Sequence, residues 1–197
     1  MASLKLRALP AACMAEFVAM ALFVIFGCGS AMGIQGTRTG NSTSLDAGWV
    51  LMVSLVFGLS ITALAYSITH ISGGHINCAV TWGLVLNGTT TIVEGIAYLV
   101  AQMLGSVTGA LFLMTIYPDA QDNTGGLGSN GVASGWYWYN AFFGEIFGTC
   151  LLMSVVLQTA CHPDSTSNRQ QAALAIGFSV FIAHAVLIPI DGCSINP

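Results

Sequence analysis

The sequence predicts an all-α, polytopic transmembrane bundle, built as an inverted repeat with re-entrant half-helices and an incomplete second copy. Three observations carry this reading. Five runs have membrane-spanning length, a sixth has about half of it, and one pattern of residues recurs along the chain at a constant offset. The composition agrees: of 197 residues 55% are hydrophobic and 6% are charged, whereas soluble domains carry roughly a quarter charged residues. A soluble globule and a disordered chain are therefore excluded. A total of four Lys plus Arg excludes a basic nucleic-acid face.

The first run, Ala11–Ile34, contains a single acid, Glu16, and is too long for the core of a signal peptide. Ala47–Thr69 follows with no charge. The short piece Asn77–Leu86 covers about 15 Å as helix, against a hydrocarbon core of roughly 30 Å. It is therefore predicted as a re-entrant half-helix. Gly95–Ile116, Tyr139–Cys161 with its one acid Glu145, and Ala172–Ile190 complete the spans. Lys5, Arg7 and Arg169 on one side, against Arg38 on the other, put the N-terminus in the cytoplasm. Asn41-Ser-Thr is then an outside glycosylation sequon, and Asn87-Gly-Thr faces inside. Segment 118–136, rich in Gly, Asn and Asp, becomes an outside loop, with Trp49, Trp136 and Trp138 marking that interface. Cys13, Cys28, Cys150 and Cys161 lie in or beside apolar runs, where Cys acts as a small hydrophobe rather than a disulfide partner. Gly105/Gly109 and Gly144/Gly148 are small-xxx-small pairs, expected to permit close crossings inside one bundle, with dimerisation the alternative.

Self-similarity organises these pieces. Gly58-Leu-Ser60 leads to Ile76-Asn77, and Gly177-Phe-Ser179 leads to Ile195-Asn196, at an offset of 119 that also relates Gly73 to Gly192. Ala15-Glu16-Phe17 and Gly144-Glu145-Ile146 precede them. Residues 1–197 thus read as one domain, with a first repeat over about 11–116 and a truncated second over about 139–197. The first copy continues 39 residues beyond Asn77, so a longer natural chain is expected. An odd number of spans per copy inverts the second, and inverted repeats place their functional site at the midplane, where broken helices meet.

Ala15-Glu16-Phe17, Gly58-Leu-Ser60, His70-Ile-Ser-Gly-Gly-His-Ile-Asn77, Ala101-Gln102, Gly144-Glu145 and Gly192-Cys-Ser-Ile-Asn-Pro197 together resemble the aquaporin, or major intrinsic protein, family. The resemblance covers essentially the whole chain and implies six spans plus two half-helices, assembled as a homotetramer with one water path per subunit. It implies no cofactor and no metal; the partners are water and membrane lipid, with no nucleic acid. Each half-helix would aim its positive dipole end at the midplane. Asn77 and Asn196 would donate to a passing water, and Asn77 would also serve as a helix cap.

By the same resemblance Phe57, His184 and Cys193 occupy three positions of a selectivity constriction. For a lone His the bland reading is a satisfied core residue. A Phe and a His facing each other leave room for water and little more, which predicts a passive water-selective channel. Backbone carbonyls of Gly73, Gly74, His75, Gly192, Cys193 and Ser194 would replace lost hydration. Glu16, Glu145 and Gln102 are expected to anchor the re-entrant loops through orphan backbone N–H groups; proton relay is the rival role. Cys78 stands where the family has Pro, which predicts a less rigid start to the half-helix. The alternatives are a facilitator of peroxide, ammonia or glycerol, a metal site at His70, His75 and Cys78, and a non-conducting structural membrane protein. No enzymatic constellation is present outside these motifs.

Overall fold

The computed structural model describes residues 2–35 and 46–196, with side chains over 9–33 and 46–196. The side chains of Lys5 and Arg7, together with Arg38, the Asn41 sequon and Pro197, lie outside it. Six α-helices appear in order: α1 (Ala2–Gln35), α2 (Ala47–Ser72), α3 (Cys78–Leu86), α4 (Ile92–Ile116), α5 (Trp138–Val156) and α6 (Ala172–Leu187). Among the described residues five segments are long and apolar enough to cross a membrane, and α3 is shorter.

Local chemistry sets the boundaries. Asp46 caps α2 by accepting from the Trp49 N–H at 3.0 Å, and Gly73 ends it in a left-handed conformation with φ 99°. Thr91 and Glu94 form a reciprocal capping box at the start of α4. Two span ends differ from the sequence expectation. The fourth span leaves α geometry at Val156 and finishes as a π turn, Leu157–Cys161, closed by the His162 N–H on the Leu157 carbonyl; Pro163 cannot continue a helix. The fifth ends at Leu187 rather than Ile190, because Pro189 has no N–H for the next helical bond.

The helices α1 and α2 pack together, α4 lies on α1, α6 lies on both α2 and α5, and α3 is held between α4 and α5. Glycine permits the closest crossings. A Cβ on Gly58 would stand 2.7 Å from the Gly177 carbonyl oxygen, and Gly177 faces Gly58 reciprocally, so the two repeats meet backbone to backbone. Gly105 and Gly109 lie against the Phe17 and Ala21 carbonyls of α1. Gly144 and Gly148 face Leu187 and Ile195. All of these are contacts within one bundle. The outward faces carry large apolar side chains, among them Leu104, Val107 and Leu111 of α4, Phe143 and Phe147 of α5, and Phe178, Ile182 and Val186 of α6. Lipid, not water, suits such a surface.

The loop between α4 and α5 is strapped down at both ends. Asn123 donates to the Met32 carbonyl at 2.9 Å, while the N–H groups of Gly131 and Ala133 reach the Asp191 and Ile190 carbonyls. Asp122 folds the loop on itself, accepting from the Thr124 N–H and hydroxyl and from the Leu127 N–H. Burial raises its carboxyl pKa, but the hydrogen bonds from Thr124, Leu127 and Gly125 outweigh this and leave it below the ordinary value. A depressed folded pKa stabilises the loop above the unfolded carboxyl pKa and loses that support as pH falls through the folded one. Amide exchange at 124–128 is expected to accelerate on acidification into that range, and Asp122→Asn to remove the pH dependence.

Gly58→Val places methyls against backbone that cannot retreat. Overpacking of this kind costs about 1–3 kcal/mol, so a lower unfolding midpoint in detergent is the expected readout. Leu59→Val, on an exposed face of the same helix, serves as the control.

Candidate functional site

Both re-entrant turns hang from a glutamate. Glu16 of α1 is fully buried. Its Oε1 accepts from the His75 N–H at 2.9 Å and the Ser72 hydroxyl at 2.6 Å. Its Oε2 accepts from the Ile76 N–H and from Gln102 Nε2, each at 2.8 Å. Glu145 of α5 repeats the pattern: Oε1 accepts from the Ser194 N–H at 2.7 Å and Oε2 from the Ile195 N–H. Their backbone geometry matches as well. Gly73 and Gly192 have φ 99° and 101°, Gly74 and Cys193 70° and 64°, and Ile76 and Ile195 48° and 42°. A β-branched residue with positive φ is strained; here two sit at equivalent points, each with its N–H bound to a carboxylate.

Asn77 caps α3, its Oδ1 accepting from the N–H groups of Ala79 at 2.7 Å and Val80 at 3.1 Å. Its amide also donates to the Ile195 carbonyl at 2.8 Å, joining the two turns. Asn196 returns the link: its Oδ1 accepts from the Cys78 N–H at 2.9 Å. The donor that Pro would have lacked at position 78 is therefore bonded across the repeats. The looser helix start expected from Cys78 is not what the structure contains.

A cavity of about 320 Å³ is lined by Gly73, Gly74, His75 and Asn77, by Thr89, Thr90 and Cys161, and by His184 and Ser194. The His184 ring stacks on Phe57 at 4.3 Å between centroids, with 25° between planes. Phe23 meets Phe57 edge-on, and Gly27 leaves room for the Phe57 ring against α1. His184 Nδ1 lies 2.9 Å from the Val180 carbonyl, which assigns the proton to Nδ1. Its buried Nε2 has no partner and is left as a bare acceptor. Phe57 and Cys193 also line a second cavity of about 290 Å³, together with Asn196. The structure thus brings Phe57 and His184 into ring contact, and puts Asn77 and Asn196 on different cavities. Gly192 lies against Asn130.

Sequence reasoning did not single out Ser72, Thr81, Tyr98 or Asn130. Thr81 connects His75, Gln102 and the Asn77 carbonyl, Tyr98 donates to the Ser72 carbonyl, and Asn130 donates to the Ser194 hydroxyl. These are single polar residues in apolar or loop surroundings, and no spacing rule marks them. All six cysteines are free. Among the described residues no three His, Cys, Asp or Glu side chains gather as metal ligands; His70 is exposed and His75 is engaged by Thr81.

Comparison with known proteins decides the family. Residues 3–197 match the family described as Major intrinsic protein. The chain belongs to the major intrinsic protein family. Aquaporin-1 of Ovis aries is 40% identical over 186 residues, covering 94% of this chain and 68% of that protein. Aquaporin-1 of Sus scrofa is 40% identical over 191 residues, with the same coverage. The X-ray structure of the aquaglyceroporin from Plasmodium falciparum superposes with a TM-score of 0.76 at 18% identity, over 91% of this chain and 73% of that one. Major intrinsic proteins are membrane channels, and this member is an integral membrane protein with the aquaporin fold.

Glu16→Gln replaces one of two acceptor oxygens by a donor facing N–H groups. Losing a buried hydrogen bond to a charged group costs about 1.5–3 kcal/mol. A reduced thermal midpoint is expected, while Glu94→Gln, in the capping box of α4, should lower it far less.

Proposed function

We propose that this chain is a passive water-selective channel, carrying water in single file down osmotic gradients and excluding ions and protons. One observation carries the reading: His184, whose Nε2 has no protein partner, lines the cavity with its ring stacked on Phe57. A bare acceptor favours a permeant that brings O–H or N–H, and two packed rings leave little width for a carbon backbone. Phe57, His184 and Cys193 form the constriction in this proposal, and Asn77 and Asn196 orient water at the midplane. Gly73, Gly74, His75, Gly192 and Ser194 contribute carbonyls. The N-terminus of α3 turns its positive dipole end towards Asn77 and opposes cations. Glu16, Glu145 and Gln102 hold the turns. The working unit is a homotetramer of single-domain subunits with cytoplasmic N-termini.

The structural likeness to an aquaglyceroporin makes glycerol the competing permeant to test. In proteoliposomes, osmotic shrinkage is expected to be fast with the wild-type chain and glycerol uptake to stay at the lipid background. His184→Ala should raise glycerol uptake by about tenfold, the scale on which a pocket discriminates by one small group. A mercurial applied outside should slow water flow through Cys193 and spare Cys193→Ser. Glycerol flux equal to water flux in the wild type would overturn the selectivity.

A further inference from the structure

His75 and His184 line the same cavity, and the His75 ring is clamped from two sides by groups that both trace back to Glu16. On one side Glu16 Oε1 accepts from the Ser72 hydroxyl at 2.6 Å, and the Ser72 carbonyl accepts from the Tyr98 hydroxyl at 2.9 Å. The Tyr98 ring then meets the His75 ring edge-on, with 5.0 Å between centroids. On the other side Gln102 Nε2 donates to Glu16 Oε2 at 2.8 Å and to Thr81 Oγ1 at 3.1 Å, and Thr81 Oγ1 lies 3.1 Å from His75 Nδ1. Counting donors fixes the protons on this second side. A carboxylate only accepts, so the Gln102 amide faces it with nitrogen. Both amide hydrogens are then used, and the buried Oε1 is left without a partner. The Thr81 hydroxyl has one hydrogen and two lone pairs. Its hydrogen goes to the Asn77 carbonyl at 3.0 Å, which can only accept. Gln102 fills one lone pair, and His75 fills the other by carrying its proton on Nδ1.

We propose that Thr81 is a positioning residue for permeation: it holds His75 as the Nδ1–H tautomer and so leaves Nε2 as a bare acceptor for the permeant. No described residue bonds that Nε2. Gly73 leaves it room, since a Cβ there would stand 3.3 Å from it. His184 reaches the same tautomer by another device, with Nδ1 on the Val180 carbonyl at 2.9 Å and Nε2 unpartnered. The two rings come from opposite repeats, and each offers an acceptor and no N–H. A molecule passing both must bring its own hydrogen, as water does. The opposite tautomer at His75 would meet it with a donor instead. This rests on the water-channel reading and extends its polar contacts from one ring to two.

Solid-state nitrogen NMR of the histidine-labelled full chain in lipid tests this, at a pH above the ordinary imidazole pKa, with His75→Gln identifying the His75 signals. The wild type is expected to show a protonated Nδ1 and a bare Nε2 at His75. Thr81→Ser keeps the hydroxyl and should keep that pattern. Thr81→Val has the same shape without the hydroxyl and should lose it. Stopped-flow water permeability should fall about threefold in Thr81→Val, the scale of one neutral hydrogen bond, and stay at the wild-type level in Thr81→Ser. A protonated Nε2 in the wild type overturns the proposal, as does a pattern or a flow left unchanged by Thr81→Val. The wild-type spectrum needs no variant, so it decides the tautomer even where Thr81→Val fails to fold. Should the wild type pass no water, the channel reading fails, and the spectra alone decide whether Thr81 sets the ring.

Discussion

Everything near the midplane depends on carboxylates accepting backbone N–H groups that have no other partner. A chain that turns inside a membrane exposes amides where water is scarce, and such groups must be satisfied from within. Glu16 and Glu145 each take two consecutive N–H groups, and those amides belong to His75-Ile76 and Ser194-Ile195. The strain at Ile76 and Ile195 costs about 1–3 kcal/mol each. Hydrogen bonds to a charged acceptor contribute about 1.5–3 kcal/mol apiece, so two per turn outweigh it. The twist in turn delivers Asn77 to the start of α3 and Asn196 to the Cys78 N–H, which ties the halves together.

That anchoring also explains why the helices are packed through glycine. The turns meet only if the helices leading into them come close, and the crossing of Gly58 with Gly177 brings α2 and α6 to backbone contact. Gly105 and Gly109 do the same for α4 on α1, bringing Gln102 within 2.8 Å of Glu16. Small residues here act through geometry: they shorten the distance over which polar side chains must reach. The apolar outward faces can then remain undifferentiated, because position is set from inside.

How much of this was legible depended on whether a signal had a period or a mate. Spans were visible as apolar runs, and α3 as a run too short to span. Glu16 and Glu145 stood out because a charge in such a run demands a partner, and the offset of 119 paired the turns that use them. Helix ends were less visible: the π turn at Leu157–Cys161 arises from a backbone bond skipping one residue further than usual, which composition does not encode. Thr81, Tyr98 and Asn130 were invisible for a related reason. Each matters through one contact brought about by folding, and a lone Thr or Tyr in an apolar helix looks the same with or without it. Cys78 misled in the other direction. Reading it as a lost Pro counted the rigidity removed and overlooked the N–H restored.

The repeat is most informative where it fails. A symmetric pair of turns gives a symmetric passage, equally wide at both ends; a constriction near one end requires departures. Phe57 corresponds to Ile176 and His184 to Ala65, so both rings of the stack lie where their mates are aliphatic. Ser72 against Asp191 is a departure of another kind: each accepts from the N–H two residues on, of Gly74 and Cys193, but one is a hydroxyl and the other a carboxyl. The differences in size and in polar chemistry meet in the same turn: Cys193 is bonded to Asp191, and Cys193 and Phe57 share a cavity wall. A duplicated scaffold thus supplies the fold through the residues its halves share. It localises selection, and any control of it, through the few residues they do not.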